Sequence, residues 1–273
     1  ALDGSVVNGV AVHAGERVRL RQVNTANARI FAFSCEGHAP TVIALDGQPV
    51  APHAPDGGRV VIAPAQRVDL VIDMGGAPGS RHRVIDARDA RRAYRFVDLV
   101  YDRARPVRAS PLDAPIRLAA NRLAEPDLAT ARRHDIVLAG GAMGRMRSAI
   151  LDGARIGIRD LAARGKAWAI NDVAAHTTAM APLATMQRGR TQLLRIRNDT
   201  VWPHPMHLHG FHFRLLTRDG RAVAHRPWLD TVLVERNETV EVAFVADNPG
   251  DWLFHCHVLE HMEAGMSAVF RVA

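Results

Sequence analysis

The sequence predicts an all-β protein: two Greek-key β-sandwich domains joined by a proline-rich linker. Three observations carry that expectation. Short runs of alternating or β-rich residues recur along the chain, separated by Gly, Pro, Asn and Asp turn signals. The stretch 104–134 breaks the pattern with Pro106, Pro111, Pro115 and Pro126, and proline lacks the backbone donor that a helix or inner strand needs. Beyond it the strand-and-turn plan starts again, which suggests a diverged internal repeat. A chain of 273 residues has room for two such domains, each large enough to bury a core.

Taken in order, the first domain, residues 1–103, offers seven strands: 17–23, 29–33, 41–45, 59–62, 67–73, 83–86 and 94–101. The run Arg-Val-Arg-Leu-Arg-Gln-Val at 17–23 alternates polar and apolar residues, as a half-buried strand does. Asp46-Gly47 is a hairpin turn dipeptide between two apolar runs. Residues 75–79, Gly-Gly-Ala-Pro-Gly, end the strand before them. Within the linker, 128–133 offers one helical turn. Residues 140–147 and the region 153–166 read as irregular and surface-lying. The second domain, residues 135–273, offers strands at 134–138, 167–170, 191–197, 211–217, 231–234, 239–245, 251–257 and 267–272, with turns at Asp219-Gly220 and Asn248-Pro249-Gly250.

Composition narrows the function. The net charge is +7 and the sequence pI 10.7, which could suit an anionic surface. Lys166 is the only lysine, the arginines are dispersed among acids, and 5% of residues are aromatic. These features argue against a nucleic-acid interface. No apolar run is long enough for a transmembrane helix. Cys35 lies in an alternating run and reads as a small buried hydrophobe; Cys256 does not.

The chemistry gathers in two windows, His204-Pro-Met-His-Leu-His-Gly-Phe-His212 and His255-Cys-His-Val-Leu-Glu-His-Met-Glu-Ala-Gly-Met266, which hold 7 of the 14 histidines. Successive side chains on a strand point to opposite faces. His255 and His257 therefore face one way and Cys256 the other. His207 and His209 share a face for the same reason, so four imidazoles can converge on one cavity. On the opposite face Cys256 can meet His204, His261 and Met266. Two imidazoles, a thiolate and a thioether are the donor set of a blue-copper site, whereas a thioether is not a zinc ligand. His212, on the outgoing strand, reads as structural; Met206 and Met262 line the sites. The remaining histidines (13, 38, 53, 82, 134, 176 and 225) are scattered and read as ordinary surface or core residues. Met143 with Met146, and Met180 with Met186, form no dense run and read as loop packing.

His-Pro-Met-His-Leu-His-Gly and His-Cys-His-x-x-x-His-x-x-x-x-Met resemble the two C-terminal signatures of the multicopper oxidases, the family of laccases and copper-resistance oxidases. Residues 5–73 also resemble that family's middle domain, through Val7-Asn-Gly9, Asn24, Gly37-His38, Asp46-Gly47 and Pro64-Ala-Gln-Arg-Val-Asp69. The resemblance implies cupredoxin-like sandwiches, a middle domain lacking its first strands, and copper as the cofactor, up to four ions in a complete assembly. It implies that His204, Cys256 and His261 hold a type 1 copper with Met266 axial. His207 resembles a type 2 ligand; His209, His255 and His257 resemble ligands of the type 3 pair. Electrons taken from substrate would pass from Cys256 to His255 and His257, and dioxygen would be reduced to water.

Two features set the limits of that expectation. The resemblance implies a cluster of eight imidazoles, and this chain supplies four. No His-x-His pair occurs in residues 1–200. The rest are expected from an N-terminal cupredoxin domain on a separate or cleaved segment, since buried imidazoles without a ligand are costly. The expected partners are dioxygen and a small phenolic, aromatic-amine or metal-ion reductant, reaching the edge of His204 or His261. The loop Pro227-Trp-Leu-Asp230 shapes that edge or merely caps a strand; Glu260 and Glu263 read as solvated. A periplasmic or secreted location follows from the resemblance alone. The alternative function is a type 1 electron-transfer or copper-binding protein without oxidase activity. A copper nitrite reductase ranks behind it, because it has no need of paired His-x-His motifs. Copper-free relatives of the cell-division type would have lost ligands that are present here.

Overall fold

The computed structural model describes residues 8–110, 112–113, 116–176 and 180–273. The chain divides into two compact units, Ala1–Ala120 and Asn121–Ala273. Pro111 and Pro115 of the expected linker lie outside the described residues.

The first unit carries strands β1 (Gly9–Val12), β2 (Arg17–Val23), β3 (Phe31–Cys35), β4 (Thr41–Leu45), β5 (Gln48–His53), β6 (Val60–Ile62), β7 (Arg67–Asp73), β8 (Arg81–Asp86) and β9 (Tyr94–Tyr101). They form two sheets, ordered β1-β9-β8-β3-β6 and β2-β7-β4-β5. All neighbours are antiparallel except β1, which runs parallel to β9. Between the sheets Phe33, Ile62, Leu70, Ile72, Val84 and Leu99 form an apolar core. Cys35 is buried in it as a free thiol, and burial pushes that thiol up to about 11.

Two of these strands escape the sequence pattern. β5 contains Pro49 and Pro52 and lies at a sheet edge, where a missing donor breaks no ladder. β1 is four residues long and too short to display a period. Asp46 and Gly47 adopt φ of 47° and 77° and close the β4–β5 hairpin; two positive φ values in succession define the turn that matches strand twist.

The second unit carries β10 (Arg132–Gly140), β11 (Ser148–Leu151), β12 (Ala154–Gly157), α1 (Ile158–Ala163), β13 (Trp168–Ile170), β14 (Pro182–Met186), β15 (Thr191–Asn198), β16 (His204–Leu208), β17 (Phe213–Arg218), β18 (Arg221–Ala222), β19 (Trp228–Leu229), β20 (Thr231–Val234), β21 (Thr239–Val245), β22 (Gly250–Cys256), α2 (Leu259–Glu263) and β23 (Ser267–Val272). One sheet has the order β13-β10-β15-β21-β17-β18, and the other β14-β23-β22-β16-β20. The expected helical turn at 128–133 is absent. Asp127 instead accepts from the Ala129 N–H and the Thr130 hydroxyl, and β10 begins at Arg132.

Residues 141–147 are irregular, as expected, but the stretch 153–166, also expected to be irregular, carries the second strand of a hairpin and a short helix. Asp152 and Gly153, with φ of 53° and 78°, make the same turn as Asp46-Gly47 and join β11 to β12. Ala149, Leu151 and Leu161 are buried together there with Ala169 and Ala174. The hairpin hides from a sequence reading because its strands are only four residues each and β12, Ala-Arg-Ile-Gly, does not alternate in burial.

The repeat extends to individual residues. Asn24, after β2, donates its amide to the Arg29 and Ile62 carbonyls and accepts from the Ala26 N–H. Asn198, at the end of β15, donates to the Trp202, Val234 and Glu235 carbonyls and accepts from the Thr200 N–H. Each pins the crossing between two sheets by satisfying backbone groups that the turn leaves unpaired. Among the described residues no helix is long and apolar enough to cross a membrane.

Candidate metal centres

The two histidine windows lie side by side because β16 pairs antiparallel with β22, Met206 opposite Cys256 and His207 opposite His255. Strand alternation then sorts the side chains. His204 and Cys256 fall on one face with Met206; His207, His209, His255 and His257 fall on the other.

On the first face, Cys256 Sγ lies 3.6 Å from His204 Nδ1 and 3.6 Å from His261 Nδ1, and the two nitrogens are 3.2 Å apart. A point equidistant from these atoms is about 2.0 Å from each, a bond length at which imidazole nitrogen holds a metal ion. His204, Cys256 and Met266 are fully buried. His261 comes from α2, whose loop folds back so that the Met266 N–H donates to the His261 carbonyl and the Cys256 N–H to the Met266 carbonyl. The helix is five residues long and sits between two strands, so the loop geometry, not helix propensity, places His261.

The free atoms on this face are set up as ligands. The His204 Nε2–H donates to Thr200 Oγ1 at 2.9 Å, and Thr200 in turn donates to Asn198 Oδ1 at 2.7 Å. That leaves Nδ1 of His204 with its lone pair toward the sulfur, the arrangement metal-binding histidines adopt. Burial, together with the neighbouring His261, lowers His204 to about 3. Burial lowers His261 to about 4. Both rings are neutral at neutral pH and available as donors. Burial pushes the Cys256 thiol up to about 12, so the sulfur gives up a proton only to something that replaces it electrostatically, as a metal ion does. The donor chemistry therefore fits a thiophilic metal ion.

Around this face the structure adds residues that the sequence pattern did not reveal. The Trp168 ring packs on His261, centroids 4.3 Å apart, and edge-on to His204 at 5.0 Å. Lys166 Nζ donates to the Glu263 carbonyl at 2.6 Å, and the Ala167 and Trp168 N–H groups both donate to the Ala264 carbonyl. Residues 166–168 thus clamp the end of the loop that carries His261 and Met266. A lone tryptophan in a short strand gives no sequence signal of this role. The Asn198-Asp-Thr turn preceding the first histidine window is the sequence signal for Thr200.

On the second face the rings of His207, His209, His255 and His257 lie with centroids 4.8–5.9 Å apart. His209 Nε2 and His255 Nε2 are 3.1 Å apart. The His255 Nδ1–H donates to the Cys256 carbonyl at 2.8 Å, and the His207 Nδ1–H is shared between the Asp230 carbonyl and Thr231 Oγ1. These bonds turn the Nε2 atoms of His207 and His255 away from the backbone. Burial lowers His255 to about 4 and also lowers His209 and His257; nearby imidazoles add to the shift in each. Asp230 Oδ1 lies 3.5 Å from His207 Nδ1 and its Oδ2 3.6 Å from His212 Nε2. Asp230 is thus a carboxylate beside the imidazoles as well as the residue before β20. Glu260 and Glu263 are exposed.

The other expected bystanders are placed as follows. Met206 is fully buried opposite Cys256. Met146 packs on the Leu161 cluster, Met186 is in the core, and Met143 is exposed. His38 and His82 pack against each other and against Tyr101 in the first unit, and His134 bonds Gln192. His176 reaches Asp152, and His53 the Ala51 carbonyl.

Sequence models described as multicopper oxidase match residues 3–85 and 158–273. The crystal structure of a multicopper oxidase from Pseudomonas thermotolerans matches with a TM-score of 0.78 and 30% identity, over 97% of this chain and 57% of that one. Multicopper oxidase MmcO of Mycobacterium tuberculosis is 29% identical over 93% of this chain and 46% of its own length. Laccase-1 of Botryotinia fuckeliana is 24% identical over 94% of this chain and 49% of its own. The chain belongs to the multicopper oxidase family, whose cofactor is copper. It spans about half the length of the curated relatives it matches.

Proposed function

We propose that the chain forms part of a copper oxidase that couples one-electron oxidation of a phenolic, aromatic-amine or metal-ion substrate to four-electron reduction of dioxygen to water. In this reading His204, Cys256, His261 and Met266 would hold a type 1 copper. His207 serves a type 2 copper, and His209, His255 and His257 serve a type 3 pair. The remaining imidazoles come from an N-terminal cupredoxin segment, separate or cleaved. Copper held in these sites supplies one-electron acceptance on the thiolate side and dioxygen reduction on the imidazole side.

The observation that carries the reading is the triangle of His204 Nδ1, His261 Nδ1 and Cys256 Sγ, with sides of 3.2–3.6 Å and a fully buried methionine in the same loop. Mixed imidazole, thiolate and thioether donors select copper over zinc. The chain's own groups do four things. Thr200 holds the His204 tautomer. Trp168 and buried neighbours keep water from the His204 ring and cover one side of His261. Cys256 belongs to both faces, since its sulfur points to one and its carbonyl accepts the His255 Nδ1–H on the other. That gives a short covalent path between the two sets. Asp230 brings a carboxylate to the His207 side, where proton delivery would be needed.

A second reading is a type 1 electron-transfer or copper-binding protein without oxidase activity. It is favoured by one observation: among the described residues, His204, Cys256 and His261 are the set whose donor atoms all converge. The two readings separate in the copper content, polypeptide content and oxygen uptake of the particle purified from its cells. A second polypeptide, all three kinds of copper and oxygen uptake support the oxidase. One blue copper per chain, no partner and no uptake support the carrier. The proposal also includes a periplasmic or secreted location, taken from the family resemblance and checked by cell fractionation.

A further inference from the structure

One lysine stands among the 35 basic residues of the chain, and it is buried: Lys166 is 5% exposed. The ion-paired arginines of the same unit, Arg133, Arg155 and Arg271, keep about half of their side chains in water. The turn after α1 puts Lys166 inside. Gly165, with φ of 71°, ends the helix, and the Lys166 N–H donates back to the Leu161 carbonyl at 2.8 Å. The side chain then runs to the end of α2, where Nζ donates to the Glu263 carbonyl at 2.6 Å. Among the described residues no carboxylate forms an ion pair with it, and the Glu260 and Glu263 side chains are exposed.

Clamping the loop does not by itself call for a charge. Every carbonyl from Glu260 to Ala264 has a donor. Glu260 accepts from the Ala264 N–H, His261 from the Met266 N–H, Met262 from the Gly265 N–H, and Ala264 from the Ala167 and Trp168 N–H groups. Only the Glu263 carbonyl takes a charged donor. A neutral donor satisfies a backbone carbonyl as well, whereas a cation buried without an anion costs free energy. The carbonyl end of α2 offsets part of that cost. Arginine, used at every other basic position, carries five donors in a rigid plane; lysine brings a compact point charge to a single acceptor.

We propose that the Lys166 ammonium is a fixed positive charge that raises the reduction potential of copper held by His204, Cys256, His261 and Met266. The proposal rests on the type 1 reading of that site. Glu263, which holds the ammonium, stands two positions after His261 and three before Met266. Trp168, two positions after Lys166, packs on the His261 ring with centroids 4.3 Å apart. His204, Cys256 and Met266 are fully buried, so the surroundings of the site are dry. An oxidised site carries one more positive charge than a reduced one, and a nearby cation disfavours the oxidised form. In a desolvated setting a unit charge shifts such an equilibrium by about tenfold, and salt screens a buried charge far less than an exposed one. Lys166 touches neither a donor atom nor the exposed edge of the site; it is a positioning residue that acts through the loop and the field.

Redox titration of the copper-loaded full chain, followed at the blue absorption band, tests this with two variants. Lys166→Gln keeps a donor for the Glu263 carbonyl and removes the charge. It should lower the potential by at least about 59 mV, tenfold in a one-electron equilibrium, with the absorption maximum and the copper hyperfine splitting of the parent. Lys166→Arg keeps the charge and should hold the potential to within about a third of that shift. A second measurement needs no variant. Because the chain has one lysine, carbon-13 lysine labelling gives a single Cε signal, which should report a charged ammonium at pH 7 in the metal-free and the cuprous chain. A neutral amine overturns the proposal, as does a Lys166→Gln chain with the potential of the parent. A fall of equal size in both variants, or a changed absorption maximum or hyperfine splitting in Lys166→Gln, assigns Lys166 to loop geometry alone and also overturns it. A folded, copper-loaded parent without the blue band overturns the type 1 reading itself. A blue parent with an unchanged Lys166→Gln potential overturns only the role of Lys166.

Discussion

The Nδ1 atoms of His204 and His261 face each other at 3.2 Å although 57 positions separate them in the chain. Two nitrogens that both present lone pairs at this distance repel unless a proton or a cation lies between them. Burial lowers the pKa of both rings, so neither carries an extra proton. A neutral His261 ring relieves the contact by donating Nδ1–H to His204 in the metal-free chain, and in the proposed site a shared metal ion does so. The indole of Trp168 is packed against both rings.

A metal ion at this position should quench Trp168 fluorescence. Titrating the metal-free chain with Cu(II) should reduce emission to a plateau at the first equivalent. Trp168→Phe should remove most of that quenching while Trp202, Trp228 and Trp252 still emit. Unchanged quenching in the variant would place the first-bound ion elsewhere.

In the proposed type 1 site Met266→Leu would remove a weak thioether donor without opening a large cavity, since leucine and methionine are close in volume. The type 1 potential should rise, by an amount on the order of 59 mV, which is tenfold in a one-electron equilibrium. Redox titration followed at the blue absorption band measures it. An unchanged potential would put the Met266 sulfur outside the site.

His257→Ala should leave the blue band in place and abolish oxygen uptake by the complete particle. The side chain belongs to the face with His207 and His255, not to the face with Cys256. Loss of the blue band together with uptake would contradict the division of the two faces.

Asp86 tests the scaffold apart from the metal. Its carboxylate is buried, which alone would raise its pKa, but the Ala32 N–H, the Arg29 guanidinium and the Arg88 N–H hold it below the usual carboxylate range. The lowered pKa means that the ionised form stabilises the fold. That stabilisation is complete above the unfolded value of about 3.9 and is lost as pH falls through the lower folded value. Asp86→Ala should cost about 1.5–3 kcal/mol at pH 7, and the gap between variant and parent melting temperatures should narrow below about pH 4. A gap independent of pH would assign the cost to packing.

Much of this molecule is legible in its sequence, and the failures have physical causes. β2, β4, β7 and β9 have the bounds expected of the alternating run Arg17–Val23 and of the apolar-rich runs Thr41–Leu45, Arg67–Asp73 and Tyr94–Tyr101. The β11–β12 hairpin stayed hidden because Asp152-Gly153 lies between strands too short to show a period. In the histidine windows the spacing by two separates the faces, and the pairing of His207 with His255 keeps each face intact. Thr200, Trp168 and Lys166 act through a hydroxyl, a ring face and a buried ammonium brought in from other segments. The Asn198-Asp-Thr turn is a local signal for Thr200; nothing local in the sequence marks the contacts of Trp168 and Lys166.

In the proposed site Cys256 is a metal ligand whose sulfur lies on one face of β22, apart from the imidazole rings on the other. The most direct measurement is the visible absorption of the copper-loaded chain and of Cys256→Ser, with circular dichroism as a check on the fold. The account predicts a thiolate-to-copper band at one equivalent of copper in the parent chain, and its complete loss in a folded Cys256→Ser. A band that persists in the folded variant, or its absence from the folded, copper-loaded parent, would contradict it.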